Sequence, residues 1–347
     1  MRSPRELQKL QKRTCLYSLP VALTQCAFVS VREITTLRPR LLDELVGHAD
    51  AKTKARIAIQ AALNRDEPLP HCLLTSGQGG VGKTSFAAVL ANEMYAPLAS
   101  TSGACLSTPV DLRNALIRLK PRTVLLCDEC HRLGRAAAEE LLIVLEEGVI
   151  NVNSNGTPIR LPLPSFTFVA ATTRPEALSA PLSQRFGLRF HLLPLAATEI
   201  EQVVRRAFDH WQMGVEPEVI AGIAQRARGI PRVSIRLSER VRDAVQSSRS
   251  TTASRQHLDM SMRIEGIDEI GLSCEERQLL RCLADAEPRP VSARSLALAL
   301  GCGVETITTV MEPTLVRFGL MNIGPGGRRL TVKGAEHLAS SQGGSGG

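Results

Sequence analysis

The residues Cys72-Leu73-Leu74-Thr75 run through Ser76 into Gly77-Gln78-Gly79-Gly80-Val81-Gly82-Lys83-Thr84, and a helix-forming stretch follows from Ser85 to Met94. Gly77, Gly82, Lys83 and Thr84 satisfy the spacing G-x-x-x-x-G-K-[ST]. Glycines in such a loop let backbone N–H groups converge on phosphate oxygens, where a side chain would obstruct them. The helix beginning near Lys83 points its positive end at the same anion. Lys83 is placed to reach the β and γ phosphates, and the Thr84 hydroxyl to coordinate magnesium. A short apolar strand feeding a loop and then a helix requires a buried parallel sheet covered by helices.

A triphosphate site needs a second strand ending in acid, and the stretch Leu125-Leu126-Cys127-Asp128-Glu129-Cys130-His131 has two readings. Cys127, Cys130 and His131 resemble half of a zinc site, but zinc needs two further ligands and there is no second C-x-x-C or His pair. In the other reading Asp128 holds magnesium through water and Glu129 polarises the attacking water. The cysteines are then small apolar wall residues of the strand and its exit. The second reading prevails because Lys83 and Thr84 supply its other half.

Two further features suit hydrolysis. The strand Phe166–Ala171 ends in Thr172 and Thr173, either of which can face a γ-phosphate or cap the next helix. Arg185, a dozen residues later in Ala-Pro-Leu-Ser-Gln-Arg-Phe-Gly, is a candidate guanidinium for charge on the transferring phosphoryl group.

Around these motifs, strands and helices alternate as far as Arg174. A hairpin is expected about Asn155-Gly156 within 149–163. Helices alone follow, near 198–211, 216–228, 231–247 and 254–264, and then at 273–285, 292–300 and 304–318. Short strands are expected to flank Gly324-Pro325-Gly326-Gly327, and the terminal residues form a flexible tail. The expected organisation is an extension over 1–36, an α/β domain over 37–193, helical blocks over 194–265 and 266–339, and a tail over 340–347.

The formal net charge of +8 is concentrated at the start, where the first 40 residues hold eight Lys/Arg against Glu6 and Glu33. Bulk charge therefore does not argue for nucleic-acid binding. Aromatics make up 3%, which disfavours stacked platforms for single strands. Nine scattered cysteines favour free thiols and a cytoplasmic location. No run of 18 apolar residues exists, so no membrane span is expected. Residues 16–31 only loosely resemble a leader, because Thr24 and Gln25 interrupt them.

Taken together, Leu-Arg-Pro-Arg-Leu-Leu-Asp-Glu from Leu37, the phosphate loop, Asp128-Glu129-Cys130-His131-Arg132-Leu133, Ala-Pro-Leu-Ser-Gln-Arg-Phe-Gly and Ala-Arg-Gly-Ile-Pro-Arg at 227–232 resemble the RuvB family. These are AAA+ motors of Holliday-junction branch migration. The resemblance runs from about Leu37 to Leu338. It implies an α/β P-loop NTPase (AAA+) domain, a helical lid and a C-terminal winged-helix domain, assembled as a homo-hexamer that uses ATP and Mg2+ on four-way-junction and duplex DNA.

Residue by residue, the resemblance makes Leu37 and Arg38 the entry segment beside the nucleotide, and Gly77, Gly80, Gly82, Lys83, Thr84 and Ser85 the phosphate loop. Asp128 and Glu129 become the acids, and Glu146, Glu147 and Gly148 a segment near the subunit boundary. Thr173 becomes sensor 1, Arg185 the finger reaching a neighbouring subunit, and Arg232 sensor 2.

The sequence departs from the family pattern at several points. Gln78 and Gly79 stand where the family has prolines, Leu195 replaces the aromatic residue over adenine, and Ser183 replaces the finger loop's first arginine. The hairpin over 149–163, which in the family docks onto RuvA, is shortened. Near the end, Arg328, Arg329 and Lys333 are expected to grip DNA phosphate, with Arg328 at one family contact position and Ile323 at another. Rival readings are a clamp-loader or helicase-loader AAA+ protein and a nucleotide-binding scaffold with little turnover.

Overall fold

A computed structural model describes residues 37–154 and 157–342. The expected extension over 1–36, the Asn155-Gly156 turn and the last five residues lie outside the described residues. The first domain contributes β1 (Cys72–Thr75), β2 (Leu98–Ser102), β3 (Val124–Asp128), β4 (Val149–Ser154), β5 (Thr157–Pro162), β6 (Thr167–Thr172) and β7 (Leu188–His191). Five of them form a parallel sheet in the order β2-β3-β6-β1-β7, and β4 and β5 pair as an antiparallel hairpin.

The unbroken apolar character of β3 has a direct cause. Val124 and Leu126 enter the core beneath the helices Ala49–Arg65 and Lys83–Glu93. Leu125 and Cys127 enter the core on the opposite face with Leu112, Leu116, Leu141 and Val144. Side chains alternate between faces along a strand, and helices cover both faces here. The thiol of Cys127 bonds Cys130 and is fully buried, which together push its pKa well up. The central strands β1, β3 and β6 are those the sequence signals; β2 and β7, at the edges, it does not.

The lid comprises helices Ala197–His210, Pro217–Arg226, Pro231–Ser247 and Arg255–Ile264 around its own core, which includes Ile200, Phe208, Ile223, Leu237 and Leu258. Proline opens the second and third helices, where its missing N–H goes unused and its φ already fits.

The last domain has helices Cys274–Asp285, Ala293–Leu300 and Val304–Arg317, then wing strands Met321–Gly324 and Gly327–Leu330. A π turn over Ile307–Met311 precedes Pro313, whose ring clashes with the regular turn before it. A helix not foreseen, Val332–Gln342, closes the domain through Leu338, so the expected tail boundary at 340 falls inside it. No single helix among the described residues is long and apolar enough to cross a membrane.

Candidate nucleotide site

The phosphate loop leaves β1 and turns into the helix Lys83–Glu93 through Gly82, whose φ of +112° few other residues adopt. A Cβ added at Gly77, Gly79 or Gly82 would meet nothing within 4 Å, so the concave side of the loop is open for an anion. Gly80 serves a second purpose. Its Cβ position lies 2.9 Å from Ile230 Cγ2 and 3.0 Å from Arg232 Cβ, so glycine lets the lid lie directly on the loop. The Arg232 amide donates to the Gly80 carbonyl at 3.3 Å.

Lys83 is buried, and its Nζ donates to Ser76 Oγ at 2.8 Å. Ser76 in turn donates to the Gln78 carbonyl at 2.6 Å. Burial lowers the pKa of the Lys83 ammonium; Asp128 and Glu129 oppose the shift and Arg232 adds to it.

A cavity of about 420 Å³ opens between the α/β domain and the lid. Lys83, Thr84, Ser85, Asp128 and Glu129 form one wall, and Leu37, Arg38, Leu195 and Arg232 also line it. Arg38 Nη1 is buried without a hydrogen-bond partner among the described residues. Burial and the neighbouring Arg232 both lower its pKa. Two guanidinium groups and a lysine converge on one concavity, which is the arrangement that accepts a polyphosphate.

Leu195 lies where the first domain meets the lid. Its amide donates to Gly229 O at 2.8 Å, and its Cδ2 lies 2.4 Å from the Cβ position of Gly47, whose φ is +72°. Glycine at 47 is therefore required both for its backbone and for the packing of this leucine.

The acids stand at the end of β3, two strands from β1 with β6 between. The Glu129 amide donates to Asp128 Oδ1 at 2.9 Å, and Glu129 itself adopts a left-handed φ of +48°. That sharp exit points the chain out of the sheet while both side chains line the cavity.

At the end of β6 the two threonines separate. Thr172 is fully buried: its Oγ1 accepts the Arg174 amide at 2.9 Å and lies 2.9 Å from His131 Nδ1. Thr173, the residue matched to sensor 1, follows the strand end and is only partly buried, outside the cavity lining.

Glu146, Glu147, Gly148 and Arg185 also stand apart from the cavity lining. Glu146 and Glu147 end the helix Arg135–Glu147, and Gly148 caps it with φ +66°. Arg185 meets Glu146 at 2.8 Å, and Glu147 pairs with Arg160. This charged cluster is exposed and stands outside the cavity of its own chain.

Several lining residues escaped the sequence reading. Arg236 and Glu239 face the cavity from the lid helix that carries the expected Arg232, at the four- and three-residue spacing of a single helical face. Their signal was helical periodicity beside Pro231. His48, the last residue of the entry segment that begins at Leu37, holds the loop through Val81 O at 3.3 Å, a contact not foreseen for it.

In the wing, the three expected DNA contacts divide. Arg328 places Nε 2.7 Å from Glu312 Oε1 and Nη2 3.1 Å from Oε2, so one edge of its guanidinium is committed to that carboxylate. Arg328, expected to grip phosphate, here neutralises a buried glutamate. Residues two apart share a strand face, so Arg328 follows buried Leu330 while Arg329 turns outward. Lys333 is exposed and donates to Phe318 O at 2.9 Å.

A parallel sheet with a phosphate loop after β1, an acid pair after β3 and a helical lid bearing arginine defines a P-loop ATPase of the AAA+ class. Family models agree domain by domain: the Holliday junction DNA helicase RuvB P-loop domain matches residues 37–192, the RuvB AAA lid domain 196–268, and the RuvB C-terminal winged helix domain 269–339. The chain belongs to the RuvB family.

The Holliday junction branch migration complex subunit RuvB of Lactiplantibacillus plantarum is 35% identical, over 87% of this chain and 91% of that protein. Its counterpart from Synechococcus sp. is 38% identical, over 91% and 89%. The Thermotoga maritima RuvB Holliday junction branch migration motor superposes with a TM-score of 0.78 at 34% identity, covering 87% of this chain and 98% of that one. The ORC2 protein of Aeropyrum pernix, at 15% identity and TM-score 0.53, shares the fold alone.

Proposed function

We propose that this RuvB-family ATPase is a DNA motor that hydrolyses ATP to drive branch migration at four-way junctions, working in the cytoplasm as a homo-hexamer. The observation that carries the proposal is the convergence of Lys83, Thr84, Asp128, Glu129, Arg38 and Arg232 on one cavity between two domains.

Lys83 and Arg232 neutralise the phosphate charge, and Glu129 takes the position of the base that orients water. The oxygen donors Thr84 and Asp128, both in the cavity wall, fit Mg2+, which takes few protein ligands and keeps several waters. Such an ion, when bound, would offset charge between the outer phosphates. Arg185 lies outside its own cavity and completes the site of the adjoining protomer. Arg232 sits on both lid and loop, so a change at the γ-phosphate moves the lid.

The hairpin of β4 and β5 exposes Ile159 and Leu161, an apolar face suited to a RuvA-like junction-binding protein. On the winged domain, Arg329 and Lys333 supply cations for duplex phosphate without base specificity.

ATPase rates measured with a four-way junction, with linear duplex and without DNA test the reading, with Glu129→Gln and Arg185→Ala alongside. Stimulation by DNA that both substitutions abolish is the expected result. Flat rates across the three conditions would favour a loader or scaffold instead.

A further inference from the structure

His131 lies outside the cavity lining yet touches both the acid read as orienting water and the buried threonine at the end of β6. Its Nδ1 is 2.9 Å from Thr172 Oγ1, and its Nε2 is 3.4 Å from Glu129 Oε2. The ring stands between the end of β6 and the acid beyond β3, almost fully enclosed, on the turn Cys130–Arg132.

Thr172 suits one direction for the bonds. Its oxygen already accepts the Arg174 amide at 2.9 Å, and its own hydroxyl proton is free to go to Nδ1. With Nδ1 accepting from Thr172, the ring's proton sits on Nε2, the nitrogen that faces the Glu129 carboxylate at 3.4 Å. Thr172 cannot turn away, since it is fully buried and its backbone is held in register beside Thr75.

Glu129 needs such a partner. It leaves the strand with φ +48°, and its side chain is 41% exposed with no other ion-pair partner among the described residues. A carboxylate that must orient water has several rotamers open to it, and one donor on a rigid ring selects among them. At 3.4 Å the contact is an ion-pair distance rather than a short hydrogen bond, so the ring biases the acid without immobilising it.

We propose that His131 is a positioning residue for hydrolysis: it sets the direction of the Glu129 carboxylate, and Thr172 sets the tautomer that lets it do so. The proposal rests on the reading of Glu129 as the residue that orients water. A second link leads outward from the same point, because Arg174 meets Glu305 of the winged-helix domain at 3.3 Å.

The alternative is a turn merely fastened to β6, and two amide side chains separate it from the proposal. An Asn amide reaches the position of Nδ1, so His131→Asn keeps the Thr172 bond and loses the Glu129 contact. A Gln amide reaches the position of Nε2, so His131→Gln keeps a donor facing Glu129. Steady-state ATPase of the full chain would be measured for both variants and for Glu129→Gln. Affinity for a fluorescent non-hydrolysable ATP analogue would be measured for the same set.

The expected result is a kcat about tenfold lower for His131→Asn, recovery to within about threefold for His131→Gln, and analogue affinity unchanged throughout. His131→Asn at wild-type kcat, or a loss confined to analogue affinity, would overturn the proposal. Should Glu129→Gln itself retain full turnover, the function reading fails first, and that outcome is visible separately in the same series.

Discussion

Arg328 and Glu312 form a two-pronged ion pair, 2.7 Å and 3.1 Å across its bonds, inside the winged-helix domain. Glu312 is only 4% exposed, and the helix that carries it packs against the wing strands. The wing is therefore anchored from within by a residue that its sequence would assign to DNA.

Arg328→Ala leaves that carboxylate buried without a partner. It should destabilise the domain by roughly 2–4 kcal/mol, read by chemical denaturation of the full chain. Duplex affinity measured well below the transition should change little.

Arg329→Ala removes an outward cation instead. Stability should stay within about 0.5 kcal/mol. Affinity for duplex should fall for every sequence alike, with the salt slope reduced by about one unit. An unchanged slope would take Arg329 out of the DNA contact.

Arg185 meets its own Glu146 and lies away from its own cavity, so its loss should be repairable in trans. Arg185→Ala chains keep an intact phosphate loop, and Lys83→Ala chains keep an intact finger. Mixed, the two inactive proteins should recover ATPase above either alone. No recovery in mixed assemblies would place the finger in cis.

Arg228, in the lid, pairs with Glu276 of the winged domain at 2.9 Å, both largely buried. Glu276 also caps its own helix by accepting the Ser273 amide at 2.8 Å. Glu276→Ala should cost about 2–4 kcal/mol, whereas Glu276→Gln keeps the cap and should cost less. Two calorimetric transitions replacing one would show that this pair joins the domains.

Leu195→Ala should weaken nucleotide binding several-fold, since it removes apolar cover from the cavity. Gly47→Ala should do the same by a different route, because the added methyl and the φ of +72° displace Leu195. Equilibrium binding of an ATP analogue checks both.

Much of the fold was readable along the chain. The phosphate loop announces itself because glycine spacing, a lysine and a hydroxyl must be contiguous to wrap one phosphate group. The strands β1, β3 and β6 announce themselves because burial on both faces requires unbroken apolar runs. The edge strands β2 (Leu98–Ser102) and β7 (Leu188–His191) do not, since one partner and partial exposure leave them free to carry serine, threonine and arginine.

The wing shows the same limit at the level of side chains. Arg328 and Arg329 are chemically identical neighbours, and the two-residue period of a strand sends one inward and one outward. Glycine 327, at φ +129°, lets the strand lie against Val291, and that approach fixes which face is which. Gly80 is similar: a phosphate-loop glycine by spacing, yet its bare Cα admits Ile230 and Arg232 of the lid.

Sequence alone determined the reagents: a cradle for triphosphate, two acids on a strand end, a lid arginine, and the family to which the chain belongs. Those features lie within short contiguous stretches, where spacing and geometry are nearly the same thing. Tertiary structure alone decided that His131 bridges Glu129 and Thr172, that Arg328 answers Glu312, and that Arg185 stands outside its own cavity. Each of those depends on which residues far apart in the chain are folded into contact, and packing against the sheet, the lid and the wing is what sets that.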